Sequence, residues 1–315
     1  METAIIIVNY RTPWHLKLCL ESVFKFTENF HLIIVQNKPD RKSQRIVDDY
    51  KNRYPNTVEV ITHDKNIGFV DGVNSAYESA IKYDRVCLLN SDTIVTKGWL
   101  NEMNTEMDAN PNIVQISPDS NAFYPTPRLW RLVNKLPFGL KKLSKLQASI
   151  APISSKDKHT YRKVEEFWYF PGGFCNVFKT APFKHLGYFC DPNIVHGYWD
   201  DFDLAYYLRQ FGEVGSTNKA YVFHFVNVTF NRISEDKQGM KDRLMQLNGL
   251  YVMDKWRERL TSDLQQINKD RLLEQSNHYV LQMIYQYFAL TTVNPEFIEY
   301  IRTLPAKEIG EKFLK

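Results

Sequence analysis

Three carboxylates stand within four residues in the segment Gly197-Tyr198-Trp199-Asp200-Asp201-Phe202-Asp203-Leu204. The amphipathic run over residues 204–211 ends at Gly212 and predicts a helix, whose first turn would hold all three carboxylates. The free backbone N–H groups of a first turn favour negative charge, and a single aspartate there is an ordinary cap. Three packed together repel one another unless a cation or a substrate offsets their charge. The cluster therefore indicates chemistry as readily as capping.

Short apolar runs recur along the first 120 residues, with helical patterns between them. This alternation predicts successive strand–helix units on a parallel sheet, with strands at residues 4–8, 32–35, 58–62, 85–89 and 113–117. Ligands of such sheets bind beyond the carboxyl ends of the strands. The residues found there are polar, namely Asn9-Tyr10-Arg11, Gln36-Asn37, His63-Asp64-Lys65-Asn66 and Asn90-Ser91-Asp92. Each cluster could form a turn, but four on one edge favour a ligand-binding edge.

A carboxylate and an imidazole also stand out in the apolar runs. Asp92 follows the predicted strand at 85–89, and His224 lies inside a later one at 221–225. Together they could bind a divalent cation, with water and substrate oxygens completing its coordination shell. A lone histidine in an apolar strand is more often a core residue, so both interpretations of His224 stay open.

Length, charge and cysteine content narrow the class of protein. The chain of 315 residues carries a formal net charge of +4, which is too small to indicate a nucleic-acid partner. Its four cysteines are scattered without a Cys-x-x-Cys pair, which is typical of a reducing cytosol rather than of a zinc ribbon or a disulfide framework. The first predicted strand leaves no room for a signal peptide, and no uncharged apolar run reaches the roughly 20 residues of a membrane span. We therefore expect a cytoplasmic protein.

Residues 123–163 break the strand–helix pattern. They include six basic residues with no acidic residue between them, and leucines at three- and four-residue spacing. The basic residues are Arg128, Arg131, Lys135, Lys141, Lys142 and Lys145. Such a segment can lie on an anionic membrane surface, which would place the protein at the inner face of the membrane. A helical hairpin packed on the main domain is the alternative. Nucleic-acid binding is not expected, because no recognition motif is present.

An ordered set of motifs over residues 3–258 resembles family 2 glycosyltransferases with the GT-A fold. The motifs are Ile6-Ile7-Val8-Asn9-Tyr10, Asn66-Ile67-Gly68-Phe69 with Asn74, Leu89-Asn90-Ser91-Asp92-Thr93, Gly98-Trp99-Leu100, Pro171-Gly172-Gly173, Leu186-Gly187-Tyr188-Phe189, Trp199-Asp200-Asp201-Phe202-Asp203-Leu204 and His224. Within the family, the chain looks most like bacterial-type rhamnosyl- and galactofuranosyltransferases that build surface polysaccharides. The resemblance implies an α/β fold with a Rossmann-like, mostly parallel sheet flanked by helices. Residues 1–258 would form the GT-A domain, with 123–163 as a basic insertion, and 259–315 a helical C-terminal extension.

The resemblance also implies roles for the acidic and metal-binding residues. Asn90-Ser91-Asp92 takes the place of the family's Asp-x-Asp motif, with Asn90 replacing the first aspartate. Asp92 matches the metal-binding carboxylate, and His224 matches a histidine that completes the metal site in some members. Asp201 matches the catalytic base, supported by Asp200, Asp203 and Trp199.

The donor site is implied in the same way. The residues that would hold the nucleotide sugar are Asn9, Arg11, Asn37, Asn66, Asn90, Asp92, Gly172 and Gly173. Gln36 departs from the pattern, because many members carry there an aspartate that contacts the base.

These residues predict an inverting, metal-dependent sugar transfer. The donor would be a nucleoside diphosphate sugar, UDP- or dTDP-linked, and the acceptor a hydroxyl of a glycan or a lipid-linked molecule in surface polysaccharide synthesis. Mn²⁺ or Mg²⁺ would stabilise the departing diphosphate, and a placed carboxylate would accept the acceptor's proton. One alternative is a nucleotidyltransferase acting on sugar phosphates, although no Gly-rich phosphate loop follows the first strand. The other is a non-catalytic carbohydrate-binding relative, against which the retention of Asp92, Asp201 and His224 argues.

Overall fold

The computed structural model describes residues 2–121, 161–226, 228, 238–267, 278–293, 296 and 299. The basic segment predicted at residues 123–163 lies outside the described residues except for 161–163. Its proposed contact with an anionic membrane therefore stays a prediction. The boundary predicted between residues 258 and 259 stays a prediction as well.

A nine-stranded sheet forms the centre of the described chain. Its strands are β1 Thr3–Asn9, β2 Phe30–Asn37, β3 Val58–His63, β4 Arg85–Leu89, β5 Thr93–Val95, β6 Ile113–Asp119, β7 Arg162–Lys163, β8 Cys175–Lys179 and β9 Glu213–His224. They are ordered β3-β2-β1-β4-β8-β6-β9-β5, with β7 paired to β9. Neighbours among β1–β4 are parallel, as are β6 and β9. Strands β5, β7 and β8 run antiparallel to their partners.

Continuous aliphatic runs form the first strands because both faces of the sheet are covered. Successive side chains of a strand point to opposite faces. Ile6 and Ile33 accordingly pack into one hydrophobic cluster, while Ile5 and Ile34 pack into a second. All four are buried.

Helices supply the other half of both clusters. They are α1 Pro13–Phe26, α2 Arg41–Arg53, α3 Gly68–Ser75, α4 Tyr77–Ala80, α5 Trp99–Ala109, α6 Asp200–Leu208, α7 Gln238–Lys255, α8 Arg257–Gln266 and α9 Tyr279–Val293. Side chains of α1, α2 and α5 cover one face, and those of α3, α4 and α6–α9 belong to the cluster on the other. In the described part of the chain, no helix has the length and hydropathy that a membrane crossing requires.

The predicted fold class, an α/β protein with a mostly parallel sheet flanked by helices, is confirmed. The five strands predicted in the first 120 residues run parallel to one another, but β4 and β6 are not neighbours. Strand β8 enters the sheet antiparallel between β4 and β6. The late strand was predicted at residues 221–225, but it begins at Glu213. Its first half is polar and contains glycine, and it becomes a strand by pairing with β6 and β7.

A buried ion-pair cluster joins α7 to the start of α6. Lys255 Nζ lies 2.7 Å from Asp203 Oδ1 and 2.8 Å from Asp191 Oδ2. Trp256 Nε1 also donates to Asp203 at 2.7 Å, and the Tyr251 hydroxyl donates to Asp191 at 2.9 Å. Both carboxylates are buried, so one ammonium group offsets two charges that water does not solvate.

We expect Lys255→Met to lower the free energy of unfolding by about 3–5 kcal/mol, because it leaves two buried carboxylates without their cation. Urea denaturation measures this change. Arg53→Met is the matched control, since Arg53 pairs with Asp49 on the surface, where both side chains are more than half exposed. That control should change stability far less, because water already solvates both of its charges. Equal losses in the two variants would contradict the prediction.

Candidate active site

A cavity of about 370 Å³ lies at the carboxyl ends of the parallel strands. Tyr10 after β1, Asn37 at the end of β2, Asn66 after β3 and residues 90–92 after β4 all line it. This is the edge of the sheet at which the sequence predicts ligand binding. The remaining wall comes from later parts of the chain, including Gly173, Trp199, Asp200, Asp201, His224 and Tyr279.

Two of the three clustered carboxylates face this cavity. Asp200 and Asp201 occupy the first turn of α6, as the sequence predicts, and both line the cavity. The N–H of Phe202 donates to Asp201 Oδ1 at 2.9 Å, and the N–H of Gly173 also donates to this carboxylate. A Cβ atom at Gly173 would lie 3.0 Å from Asp201 Oδ2. Glycine therefore lets the carboxylate lie directly against the backbone, which fixes its position.

Asp203 shares the first turn but does not line the cavity. Its carboxylate accepts hydrogen bonds from Lys255 and Trp256 instead. Its place in the fold is thus to join α6 to α7, and its support of Asp201 is indirect.

Burial raises the pKa of both carboxylates in the cavity. Desolvation, together with the neighbouring Asp201, raises the pKa of Asp200 to about 8. Desolvation raises that of Asp201 to about 6, against the opposing effect of its backbone N–H donors. At neutral pH the pair therefore holds one proton, on Asp200, and one negative charge, on Asp201. An ionised and positioned carboxylate of this kind can act as a general base.

A run of left-handed backbone precedes α6. The φ angles are 71° at His196, 122° at Gly197, 65° at Tyr198 and 70° at Trp199. For a residue other than glycine, this conformation costs about 1–2 kcal/mol. Strain of this kind persists only where the surroundings enforce it. The run leads directly into Asp200, so it determines where helix α6 starts and where its first two carboxylates lie.

Helix α7 provides that enforcement. The fully buried Asn248 donates from Nδ2 to the carbonyls of Val195 at 2.9 Å and Gly197 at 2.7 Å. Its Oδ1 accepts the N–H of Val195 at 3.2 Å. At the next residue of the helix, a Cβ atom on Gly249 would come within 2.9 Å of the Trp199 ring. Two consecutive residues of α7 therefore contact the left-handed run, one through its backbone and the other through the indole of Trp199.

Asp92 and His224 meet in the lining of the same cavity. His224 ends β9 opposite Thr93 of β5, and its Nε2 lies 3.3 Å from Asp92 Oδ1. Asn90 Nδ2 is 3.4 Å from the same nitrogen. The imidazole stacks on Phe174, with ring centroids 5.2 Å apart. In the part of the chain that the structure describes, no third histidine, cysteine, aspartate or glutamate joins them.

Asn121 fixes the backbone at this point. Its Oδ1 accepts the N–H of His224 at 2.8 Å, and its Nδ2 donates to the His224 carbonyl at 2.9 Å. Both backbone groups of His224 are thereby engaged by one side chain, which orients the imidazole towards Asp92.

The predicted donor-binding residues fall into two groups. Asn37, Asn66, Asn90, Asp92 and Gly173 line the cavity, whereas Asn9, Arg11 and Gly172 do not. Asn9 is buried and donates to Gln36 Oε1 at 2.9 Å. Arg11 is exposed, and the Gly172 carbonyl accepts a hydrogen bond from Asn176 at 3.0 Å.

Asn37 and Asn66 also hold the loop that follows β3. Asn37 accepts the N–H of Ile67 at 2.8 Å and donates to the Gly68 carbonyl at 2.9 Å. Asn66 accepts the N–H of Gly68 at 3.2 Å.

Sequence reasoning missed three residues of this site. His196 lines the cavity, and burial lowers its pKa to about 4, so the imidazole there is neutral. Asn248 and Tyr279 lie in helices far along the chain. The position of His196 just before the acidic motif is a signal that could have been used. For Asn248 and Tyr279 the sequence offers no comparable signal.

The family follows from comparison with known proteins. Residues 4–184, more than half of the chain, match the family described as "Glycosyl transferase family 2". The chain belongs to this family. It is a glycosyltransferase, and the nucleotidyltransferase alternative receives no support. Among curated proteins, no sequence matches this glycosyltransferase.

Solved structures of other glycosyltransferases share its fold. S. aureus TarS 1–349 is 14% identical over 94% of this chain and 74% of its own, with a TM-score of 0.53. The mannosyltransferase PcManGT from Pyrobaculum calidifontis, in complex with GDP-Man and Mn²⁺, is 12% identical over 98% of this chain and 77% of its own, with a TM-score of 0.53. GalNAc-T7 with UDP, GalNAc and Mn²⁺ is 14% identical over 71% of this chain, with a TM-score of 0.52, and only 43% of its own length is covered. These likenesses support the predicted GT-A fold.

We expect Asn248→Ala to lower kcat for sugar transfer by about 10- to 100-fold, because releasing the left-handed run displaces the carboxylates of α6. The donor KM should change little. Steady-state kinetics at a temperature where circular dichroism shows the variant to be folded measures both.

Asn74→Ala is the matched control for this variant. Asn74 also holds a remote loop with three hydrogen bonds, to Phe189 and Cys190, but it does not line the cavity. It should lose stability without the drop in kcat. If the two variants lose kcat equally, Asn248 is a stability residue only.

Proposed function

We propose that this glycosyltransferase transfers a sugar with inversion, from a nucleoside diphosphate sugar to a hydroxyl of a glycan or lipid-linked acceptor. The observation that carries the proposal is that Asp201 and the Asp92–His224 pair line the same cavity. PcManGT and GalNAc-T7 support the donor class, since their structures hold GDP-Man and UDP respectively. The motif resemblance favours a UDP- or dTDP-linked donor and a role in surface polysaccharide synthesis.

Asp201 is the proposed base. Its carboxylate is charged at neutral pH, is held by backbone N–H groups and faces the cavity. It would accept the proton of the acceptor hydroxyl as the hydroxyl oxygen attacks the anomeric carbon and the bond to the diphosphate breaks. Asp200 is protonated at neutral pH, so it is a poor nucleophile. A single direct displacement inverts the anomeric centre.

A divalent cation fits a second group of residues in this cavity. Asp92 Oδ1 and His224 Nε2 lie 3.3 Å apart, close enough for both to contact one ion. The same nitrogen faces both an amide donor of Asn90 and a carboxylate acceptor. One imidazole nitrogen cannot satisfy both partners, whereas its lone pair and the carboxylate can share a cation.

The charge of the cavity gives a second reason for a cation. Among the described residues that line it, none is a lysine or an arginine, and three are aspartates. A diphosphate would therefore meet negative charge without a side-chain cation to offset it. Bound Mn²⁺ or Mg²⁺ would supply the Lewis acid that stabilises the departing diphosphate. PcManGT and GalNAc-T7 were both crystallised with Mn²⁺.

The first test of this proposal concerns the base. Asp201→Asn should lower the transfer rate by about 10²–10⁴-fold while donor binding is retained. In the wild type, kcat/KM should rise with pH through about 6, because Asp201 must lose its proton to act and burial raises its pKa to that value. Radiolabelled sugar transfer across a pH series measures both.

Asp203→Asn is the contrasting variant, since Asp203 binds Lys255 rather than lining the cavity. It should reduce stability but keep the pH profile. Near-normal turnover in Asp201→Asn would move the role of base to Asp200.

The second test concerns the cation. Asp92→Ala and His224→Ala should each weaken Mn²⁺-dependent binding of UDP and dTDP in isothermal titration calorimetry, and both should lower activity. Full activity in EDTA would remove the cation from the proposal. Unchanged Mn²⁺ dependence in His224→Ala alone would return His224 to a core role and leave Asp92 as the protein ligand.

A further inference from the structure

We propose that Tyr279 binds the acceptor and that this acceptor presents an uncharged sugar ring, which stacks on the tyrosine. The inference rests on the proposed function, since it takes Asp201 as the base for an acceptor hydroxyl in the same cavity. It assigns a substrate-binding role to helix α9, a part of the chain in which the sequence shows no catalytic cluster.

Tyr279 combines exposure with a fixed position. Its side chain lines the cavity and is 49% exposed, so one ring face is open to a ligand. The helix behind it is anchored in the hydrophobic core by Val280 and Ile284, both buried. The Tyr287 hydroxyl also donates to Asp254 Oδ1 of α7 at 2.9 Å. The exposed ring is therefore attached to a helix whose position is fixed by the core.

A chain of aromatic contacts connects Tyr279 to the base. Its ring centroid lies 5.7 Å from that of Trp199, with the planes inclined at 35°. Trp199 in turn contacts Phe202 edge to face at 5.7 Å. Phe202 is the residue whose N–H donates to Asp201. Packed rings thus fix the position of the Tyr279 ring relative to Asp201. A sugar stacked on this ring would therefore present its hydroxyl to the carboxylate in a defined position.

The chemistry of this wall favours a neutral sugar. The C–H face of a sugar ring is weakly positive and packs on the negative face of an aromatic ring, while sugar hydroxyls can donate to carboxylates. Phe170 and Tyr198 add further aromatic surface to the lining. A phosphate-bearing polyol would instead meet the ionised Asp201 without any lysine or arginine among the described lining residues. An anionic acceptor is therefore disfavoured here.

The experiment measures transfer to octyl glycosides of glucose, galactose, rhamnose and N-acetylglucosamine. Glycerol 3-phosphate and ribitol 5-phosphate serve as anionic counterparts. Tyr279→Ala should raise the KM for a neutral glycoside by about 3- to 10-fold, the range expected for one aromatic contact. Tyr279→Phe, which keeps the ring, should stay close to the wild type. Tyr285→Ala is the matched control, because Tyr285 is on the same helix and 41% exposed but does not line the cavity.

Hydrolysis of the donor in the absence of acceptor separates the possible failures. The inference predicts that Tyr279→Ala raises the acceptor KM by more than it changes the donor KM, with circular dichroism confirming the fold. An unchanged acceptor KM, or an equal rise in the donor KM, overturns the role of Tyr279. Preference for the polyol phosphates, or failure of every neutral glycoside to be used or to inhibit hydrolysis, overturns the acceptor class. A wild type that neither transfers nor hydrolyses any nucleotide sugar defeats the proposed function itself.

Discussion

Asp200 and Asp201 stand side by side at the start of α6, where burial removes the water that would otherwise solvate two charges. They can occupy this place because one of them keeps its proton and the other is held by backbone N–H groups. The position of both carboxylates depends on residues 196–199, which have left-handed backbone angles and lead directly into the helix. That conformation is costly by itself, so the contacts of α7 with this run help the carboxylate proposed as the base to face the cavity.

The sequence contains much of this arrangement in local form. Strand β4 was predicted at its observed bounds, because a fully buried parallel strand leaves an apolar run. The half-buried edge strand β3 was predicted within one residue. The first turn of α6 was predicted to hold all three carboxylates, since aspartates collect at helix N-termini. The polar clusters after successive strands could be placed on one edge from topology alone, and four of them contribute to the cavity.

What could not be predicted depends on contacts between remote parts of the chain. Strand β8 lies antiparallel between β4 and β6, and the sequence of a five-residue strand does not indicate which strands it will pair with. Asp203 has the same sequence context as Asp201, but the direction of its side chain is decided by Lys255, which lies on α7. Asn248 reads as an ordinary polar residue of a helix. Only the fold reveals that it holds three carbonyl and amide groups of a strained loop.

The carboxyl groups of the cavity are balanced in different ways. Among its described lining residues these groups are Asp92, Asp200 and Asp201, and no lysine or arginine accompanies them. At Asp92, the proposed balance is a divalent cation that also binds the diphosphate. At Asp200 it is a proton, since burial raises the pKa of that carboxyl to about 8. The proposed base, Asp201, is then left without a side-chain counterion in a lining that includes Phe170, Tyr198 and Trp199. A lysine or arginine beside Asp201 would lower its affinity for a proton, so an aromatic lining preserves the basicity that the proposed transfer requires.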